Sequence, residues 1–305
     1  MSFREHMIRT MVAELGRLEA PGRRMAGRVG LQVRAAVTRL WENGELRRAS
    51  DPAQLIHRVV SRTMQPIAQT IADAMLLSDL YGRRRAALNA WEWMRKKGVR
   101  KASLKMFAST AYEGALDWAK ARSDLGPKQL ELLAKKYSAQ ALVVYERAQQ
   151  SLERRLEQAV LEALRSCAHV RDGKRMIQDA FKSAGYVPGA DHTLEAIYRT
   201  QVQAAYSAGR WNKLESPEVQ EILWGFEYAT AGDDRVRPDH ARMDGVKRPK
   251  NDPIWNVWTP PNGWNCRCLL LEIYGSDTAT KVPAVKPDSG FAWNPGTVFK
   301  LPDDR

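Results

Sequence analysis

Only three cysteines, Cys167, Cys266 and Cys268, occur among 305 residues. That is too few for the disulfide framework of a small secreted fold. Long apolar runs are missing as well: no stretch approaches the roughly 18 uninterrupted apolar residues of a membrane helix. The N-terminus, MSFREHMIRTMVAEL, carries charges every few residues and no apolar leader core. A soluble protein made in the cytoplasm, with no membrane partner, is the expectation. Also absent are a Gly-rich phosphate loop, a Ser-His-Asp order and a cysteine in a nucleophile context. Acidic residues are scarce in one part of the chain only. Residues 191–305 hold 14 Lys and Arg against 16 Asp and Glu, whereas residues 1–190 hold 34 against 19. The whole positive excess behind the net charge of +13 therefore lies in the N-terminal part.

With 44% apolar residues the chain can build one large core or two ordinary ones. The densest charge is the stretch from Arg83 to Lys105, RRRAALNAWEWMRKKGVRKASLK. It carries nine basic residues, Arg83, Arg84, Arg85, Arg95, Lys96, Lys97, Arg100, Lys101 and Lys105, against the single acid Glu92. Such a run is either a solvated basic face or a surface for phosphates or an acidic protein. Trp91 and Trp93 lie inside it, and serve either base stacking or core packing.

The first 165 residues read as helix almost throughout. Ser50 and Asp51 are candidate caps, Pro52 suits a first helical turn, and Pro66 should kink or divide the helix that follows. From Lys128 to about Arg165, Leu130, Leu133, Tyr137, Ala141, Val144, Ala148, Leu152, Leu156, Val160 and Ala163 recur on one face. A helix of that length would extend roughly 50 Å or more, which suits an arm or scaffold better than a compact enzyme. An amphipathic segment, MIQDAFKSAGY, a turn at VPGAD and a helix, HTLEAIYRTQVQAAYSAGRW, come next. EVQEILWGFEYATAGDDRVRPDH then reads as a strand entering a loop and RCLLLEIYG as a second strand, the two bracketing a long loop in a small α+β module. The last residues form an extended Pro/Gly-rich tail anchored by Phe291 and Trp293. The expected fold is mainly α: an elongated, helical N-terminal region with a long helix, and a small C-terminal α+β module with a long loop. The expected division is 1–127 as a basic docking region, 128–165 as a long connecting helix, 166–275 as the C-terminal module and 276–305 as the tail.

Four motifs stand in order: AIYRTQVQAAYSAGR (196–210), ATAGDDRVRPDHARMDG (229–245), DPIWNVWTPPNGWNCRC (252–268) and FAWNPG (291–296). This ordered set resembles the phage Mu F-like minor head proteins, also called head morphogenesis proteins, over roughly residues 155–296. The resemblance implies a virion component of a tailed phage or prophage-derived particle, present in few copies in the head interior and made in the host cytoplasm. It implies the portal as partner, with major capsid or scaffold protein and packaged double-stranded DNA as further candidates, and roles in packaging or ejection of that DNA. Some relatives carry a C-terminal toxin or ADP-ribosyltransferase domain; this chain ends shortly after NPG, so none is expected.

Cys266 and Cys268, spaced i and i+2, cannot bridge each other without strain. With His240 they supply three donors of a tetrahedral zinc site, and Asp234 or Asp239 is the candidate fourth. Thiols packed without metal, a structural zinc, or a metal-dependent nuclease using His240 and Asp234 are the readings left open. Asp233, Arg235, Arg237, Pro238, Asp244 and Gly245 read as turn chemistry and carboxylate–guanidinium pairing that hold the loop. Arg199 and Thr200 are expected to join the preceding helix to that loop. His6, His57, His169 and His192 are isolated imidazoles with no site assigned, and Cys167 a small packing residue. No catalytic residue is expected, and no cofactor beyond the candidate zinc.

Overall fold

The computed structural model describes residues 3–98, 115–121, 123–166, 169–183, 186–187 and 190–302. The helical part runs α1 (Phe3–Glu42), α2 (Glu45–Arg48), α3 (Pro52–Lys96), α4 (Ala115–Lys120), α5 (Pro127–Arg165) and α6 (Val170–Ser183). A two-residue hairpin, β1 (Tyr186–Val187) and β2 (Ala190–Asp191), precedes α7 (His192–Leu214) and the single turn α8 (Pro217–Gln220). Then come β3 (Leu223–Ala229), α9 (Pro238–Met243), β4 (Lys247–Pro249), a 3₁₀ turn at Pro253–Asn256, β5 (Leu269–Tyr274) and α10 (Pro295–Val298). The fold is mainly α, with a small antiparallel sheet near its C-terminal end. No helix among the described residues is long and apolar enough to cross a membrane.

The helices follow their apolar spacing. In α1, Met7, Met11, Leu15, Leu18, Ala26, Val29, Val33, Val37 and Trp41 recur every three or four residues, or twice that, and all are buried. In α5 the face from Leu133 to Ala163 is buried at every position read from the sequence, and Leu130 at its start is half-buried. Asp51 caps α3, its carboxylate accepting the Gln54 amide at 3.0 Å. Pro66 does not divide α3: the helix continues to Lys96. Met64 and Ile67 flanking it are buried, and that packing outweighs the backbone bond a proline removes, a loss of about 3 kcal/mol. The helix stops where Gly98, at φ +71°, gives its amide to the Arg95 carbonyl at 3.1 Å.

The chain packs into two units, one of Met1–Leu18, Asp73–Tyr137 and Thr200–Arg305, the other of Glu19–Ala72 and Ser138–Arg199. In the second, the Trp41 indole donates to the Val170 carbonyl at 2.9 Å and covers Gly173, where a Cβ would collide with the ring. Arg199 pairs with Glu19 at 2.8 Å, and Tyr198 lies over Gly22 in the same way. In the first, the sheet has the order β4-β3-β5, both pairings antiparallel, with Glu227 opposite Lys247 on one side and Leu271 on the other. Its core gathers Phe226, Tyr228, Trp255, Trp258 and Leu270 with Ala86 and Ala90 of α3 and Leu214 of α7. Each large apolar side chain buried there contributes about 2–3 kcal/mol. Both strands read from the sequence are present; β4, a three-residue strand ending in proline, was not legible.

Candidate functional site

The loop between β3 and β5 is held at its first turn by Asp244. Its carboxylate accepts the Thr230 amide at 2.6 Å and the Thr230 hydroxyl at 3.0 Å. Gly245 follows at φ +78°, a conformation that other residues adopt only with strain, and returns its amide to the Tyr228 carbonyl at 2.8 Å. Inside the loop Asp233 accepts the Arg235 amide at 3.1 Å and takes both guanidinium arms of Arg267, at 2.6 and 2.5 Å. Those bonds, Arg267 first and Arg235 after it, hold the Asp233 carboxyl well below the usual range. Pro238 starts α9, and the helix brings His240 inward, 2% exposed.

The approach to the cysteines is built from buried amide chemistry. Pro260–Pro261 is cis, and Asn262 beyond it is wholly buried. The Asn262 side chain accepts the Tyr228 hydroxyl at 3.1 Å and donates to the Val257 carbonyl at 3.2 Å and the Phe291 carbonyl at 3.4 Å. Arg237 donates to the Trp264 carbonyl at 2.6 Å and pairs with Asp288 at 3.1 Å. Asn265, at φ +55°, gives its amide to the Thr200 hydroxyl at 3.1 Å. Thr200 thus ties α7 to this loop, while Arg199 beside it serves Glu19.

These contacts converge on His240, Cys266 and Cys268, all buried, whose donor atoms lie within 4.8 Å of one another. His240 Nδ1 stands 3.4 Å from Cys268 Sγ and 3.8 Å from Cys266 Sγ. The Cys268 amide points at Cys266 Sγ across 3.5 Å, and the Gln203 side chain donates to the Cys268 carbonyl at 2.7 Å. Burial opposes ionisation of Cys266, yet hydrogen bonds from Cys268, His240 and the Asn262 backbone outweigh it and carry this thiol well below its ordinary range. Cys268 moves the other way, raised by its hydrogen bond to Cys266 and then by burial. Both cysteines are free and precede β5, so the pair shares one side without being part of the strand.

Asp234 and Asp239 do not join the three donors: both are exposed. Tyr228, Asn262 and Gln203 were missed, because Asn262 in PPNG reads as a turn former and the other two as ordinary strand and helix residues. The basic run divides. Arg83 is buried against Asp79 at 2.8 Å, Arg85 is paired with Glu14, and Arg84 lies half-buried beside the Tyr81 ring. Arg95, Lys96 and Lys97 are exposed at the end of α3, with Arg95 5.4 Å from the Trp91 ring centre. Trp93 packs against Tyr274, ring centres 5.8 Å apart. Arg100, Lys101, Lys105 and Cys167 lie outside the described residues.

A family model described as Phage Mu protein F like protein matches residues 149–271. Over 99 residues, 32% of this chain and 22% of the relative, the chain is 36% identical to the putative capsid assembly protein F of Escherichia phage Mu. Over 82 residues, 27% of this chain and 19% of the relative, it is 34% identical to the Mu-like prophage FluMu F protein of Haemophilus influenzae. The chain thus spans about a fifth of the length of the curated relatives it matches. No solved structure matches it significantly. Residues 149–271, which hold His240, both buried cysteines and the loop that brings them together, are the part of the chain that is similar to the Mu F-like family.

Proposed function

We propose that this chain is a minor head protein of a tailed phage or prophage-derived particle, acting in head morphogenesis at the portal on the inside of the head. The observation that carries this reading is the Mu F-like segment, with a relative named for capsid assembly. The four motifs read from the sequence, the last of them beyond that segment, supply one another's partners: Thr200 of the first receives the Asn265 amide of the third, and the Asn262 side chain reaches Phe291 of the fourth. Such mutual satisfaction of polar groups supports a structural role, for which no exposed nucleophile is needed. The exposed cations Arg95, Lys96 and Lys97 supply the docking charge, for an acidic portal surface and, in the filled head, for DNA phosphates. Arg83 and Arg85 serve the fold instead, through Asp79 and Glu14.

The test is a binding experiment between the purified full chain and the purified portal oligomer of the same phage, read by native mass spectrometry. A complex of defined stoichiometry supports portal docking. A portal that stays bare at every concentration reached removes it.

A further inference from the structure

We propose that His240 Nδ1, Cys266 Sγ and Cys268 Sγ bind one zinc ion, which fastens α9 to the start of β5 and closes the long loop between them. The first support is geometry. With Zn–S of about 2.3 Å and Zn–N of about 2.0 Å, a sulfur and a nitrogen on one tetrahedral ion stand about 3.5 Å apart. The two Nδ1–Sγ separations are 3.4 and 3.8 Å. Donors from segments 26 and 28 residues apart in sequence have come to coordination spacing inside a core.

The second support is charge and softness. Two thiolates and a neutral imidazole match zinc among the common divalent ions, and Zn²⁺ with two thiolates carries no net charge. A neutral complex can be buried where His240, Cys266 and Cys268 are only 2%, 4% and 2% exposed, and a lone thiolate could not be without cost.

The third support is the surroundings of the sulfurs. The Cys268 amide aims at Cys266 Sγ across 3.5 Å, and the Gln203 side chain donates to the Cys268 carbonyl at 2.7 Å. Both contacts hold the ligand residues in place in the manner of outer-shell partners at thiolate metal sites. On the imidazole, a ligating Nδ1 leaves the ring proton on Nε2. That atom is buried without a hydrogen-bond partner, and the ring stands at 82° to the Trp258 ring, centres 5.9 Å apart. Among the described residues no fourth His, Cys, Asp or Glu joins the group, so the protein side chains there supply three donors. The ion's role follows from what it joins. α9 is six residues long and is bounded on both sides by loop, so a metal bond to His240 fixes a helix too short to hold its own place.

Metal content of the full chain, purified without chelator, is the first readout, and cobalt substitution the second. The expected result is about one zinc per chain, and a Co²⁺ form with thiolate charge-transfer absorption and the intense visible bands of tetrahedral coordination. Removing the metal should lower the melting temperature. The Cys266→Ala/Cys268→Ala variant should lose both metal and spectrum. A wild-type chain that binds neither zinc nor cobalt, and melts identically with and without chelator, overturns the site. So does a folded double-alanine variant that retains its zinc. Neither readout involves head proteins, so the site stands or falls independently of the head-assembly reading.

Discussion

Gly82 and Gly209 form a reciprocal close crossing of α3 and α7. A Cβ on Gly82 would collide with the Tyr206 carbonyl oxygen, and one on Gly209 with the Asp79 carbonyl oxygen. The obstacles are backbone atoms of the opposing helix, which cannot swing aside as a side chain can. Beside that crossing the buried Asp79 carboxylate pairs with Arg83, one turn on in α3, at 2.8 Å, and accepts the Tyr137 hydroxyl of α5 at 2.6 Å.

Gly82→Ala and Gly209→Ala should therefore each destabilise the chain by about 1–3 kcal/mol or more, the range for overpacking. Gly16→Ala and Gly27→Ala, in α1 with open space around them, should instead stabilise by about 0.5–1 kcal/mol, the helix preference of alanine over glycine. Urea unfolding of the four variants separates the two classes, and equal effects at all four would refute the crossing.

Glu272 of β5 is buried and pairs with Arg210 of α7, and the Asn89 side chain of α3 donates to it at 3.0 Å. Glu272→Ala would leave a buried guanidinium without its anion, and should cost about 3–5 kcal/mol. Arg210→Met combined with Glu272→Leu should recover most of that loss. A double-mutant cycle by denaturant melting measures the coupling, and additive effects would contradict the pairing.

The link between Asp233 and Arg267 predicts a pH dependence. A carboxyl whose pKa is lower in the folded chain than in the unfolded one adds stability that is complete above the unfolded value, about 4. That stability fades as pH falls through the lower folded value. The melting-temperature gap between wild type and Asp233→Asn should thus be constant from neutral pH to about 5, then shrink in stronger acid. A gap unchanged down to the acid limit would mean that the carboxylate charge contributes nothing.

Portal or DNA docking through Arg95, Lys96 and Lys97 should weaken steeply with salt, with the logarithm of affinity falling linearly with the logarithm of salt concentration. Arg95→Glu/Lys96→Glu/Lys97→Glu should abolish binding at physiological salt and leave the melting temperature nearly unmoved, because all three side chains are exposed. Arg83→Glu should do the reverse and destabilise the fold, because its partner Asp79 is buried.

The long helices were legible because their apolar residues recur at helical spacing, and the face of α5 from Leu133 to Ala163 is buried as read. The His240–Cys266–Cys268 grouping was legible for a chemical reason, since soft donors are rare in this chain. Asp234 was not separable from its neighbours by sequence, because its exposure depends on how Asp233 and Arg267 fold the loop. The basic run misled for a similar reason. Charge density along a sequence does not show which guanidinium groups meet carboxylates such as Asp79 and Glu14, which lie elsewhere on the same helix or on another. Glycine crossings were invisible because Gly82 and Gly209 announce nothing until two helices are placed side by side.

The measurement that tests the head-protein reading most directly is quantitative mass spectrometry of purified heads, after co-expression of this chain with the portal and major capsid protein of the same phage. The account predicts that the chain is retained in particles after high-salt washing and nuclease treatment, in few copies relative to the major capsid protein, and lost when the portal is omitted. Heads that form normally and contain none of it would contradict the account.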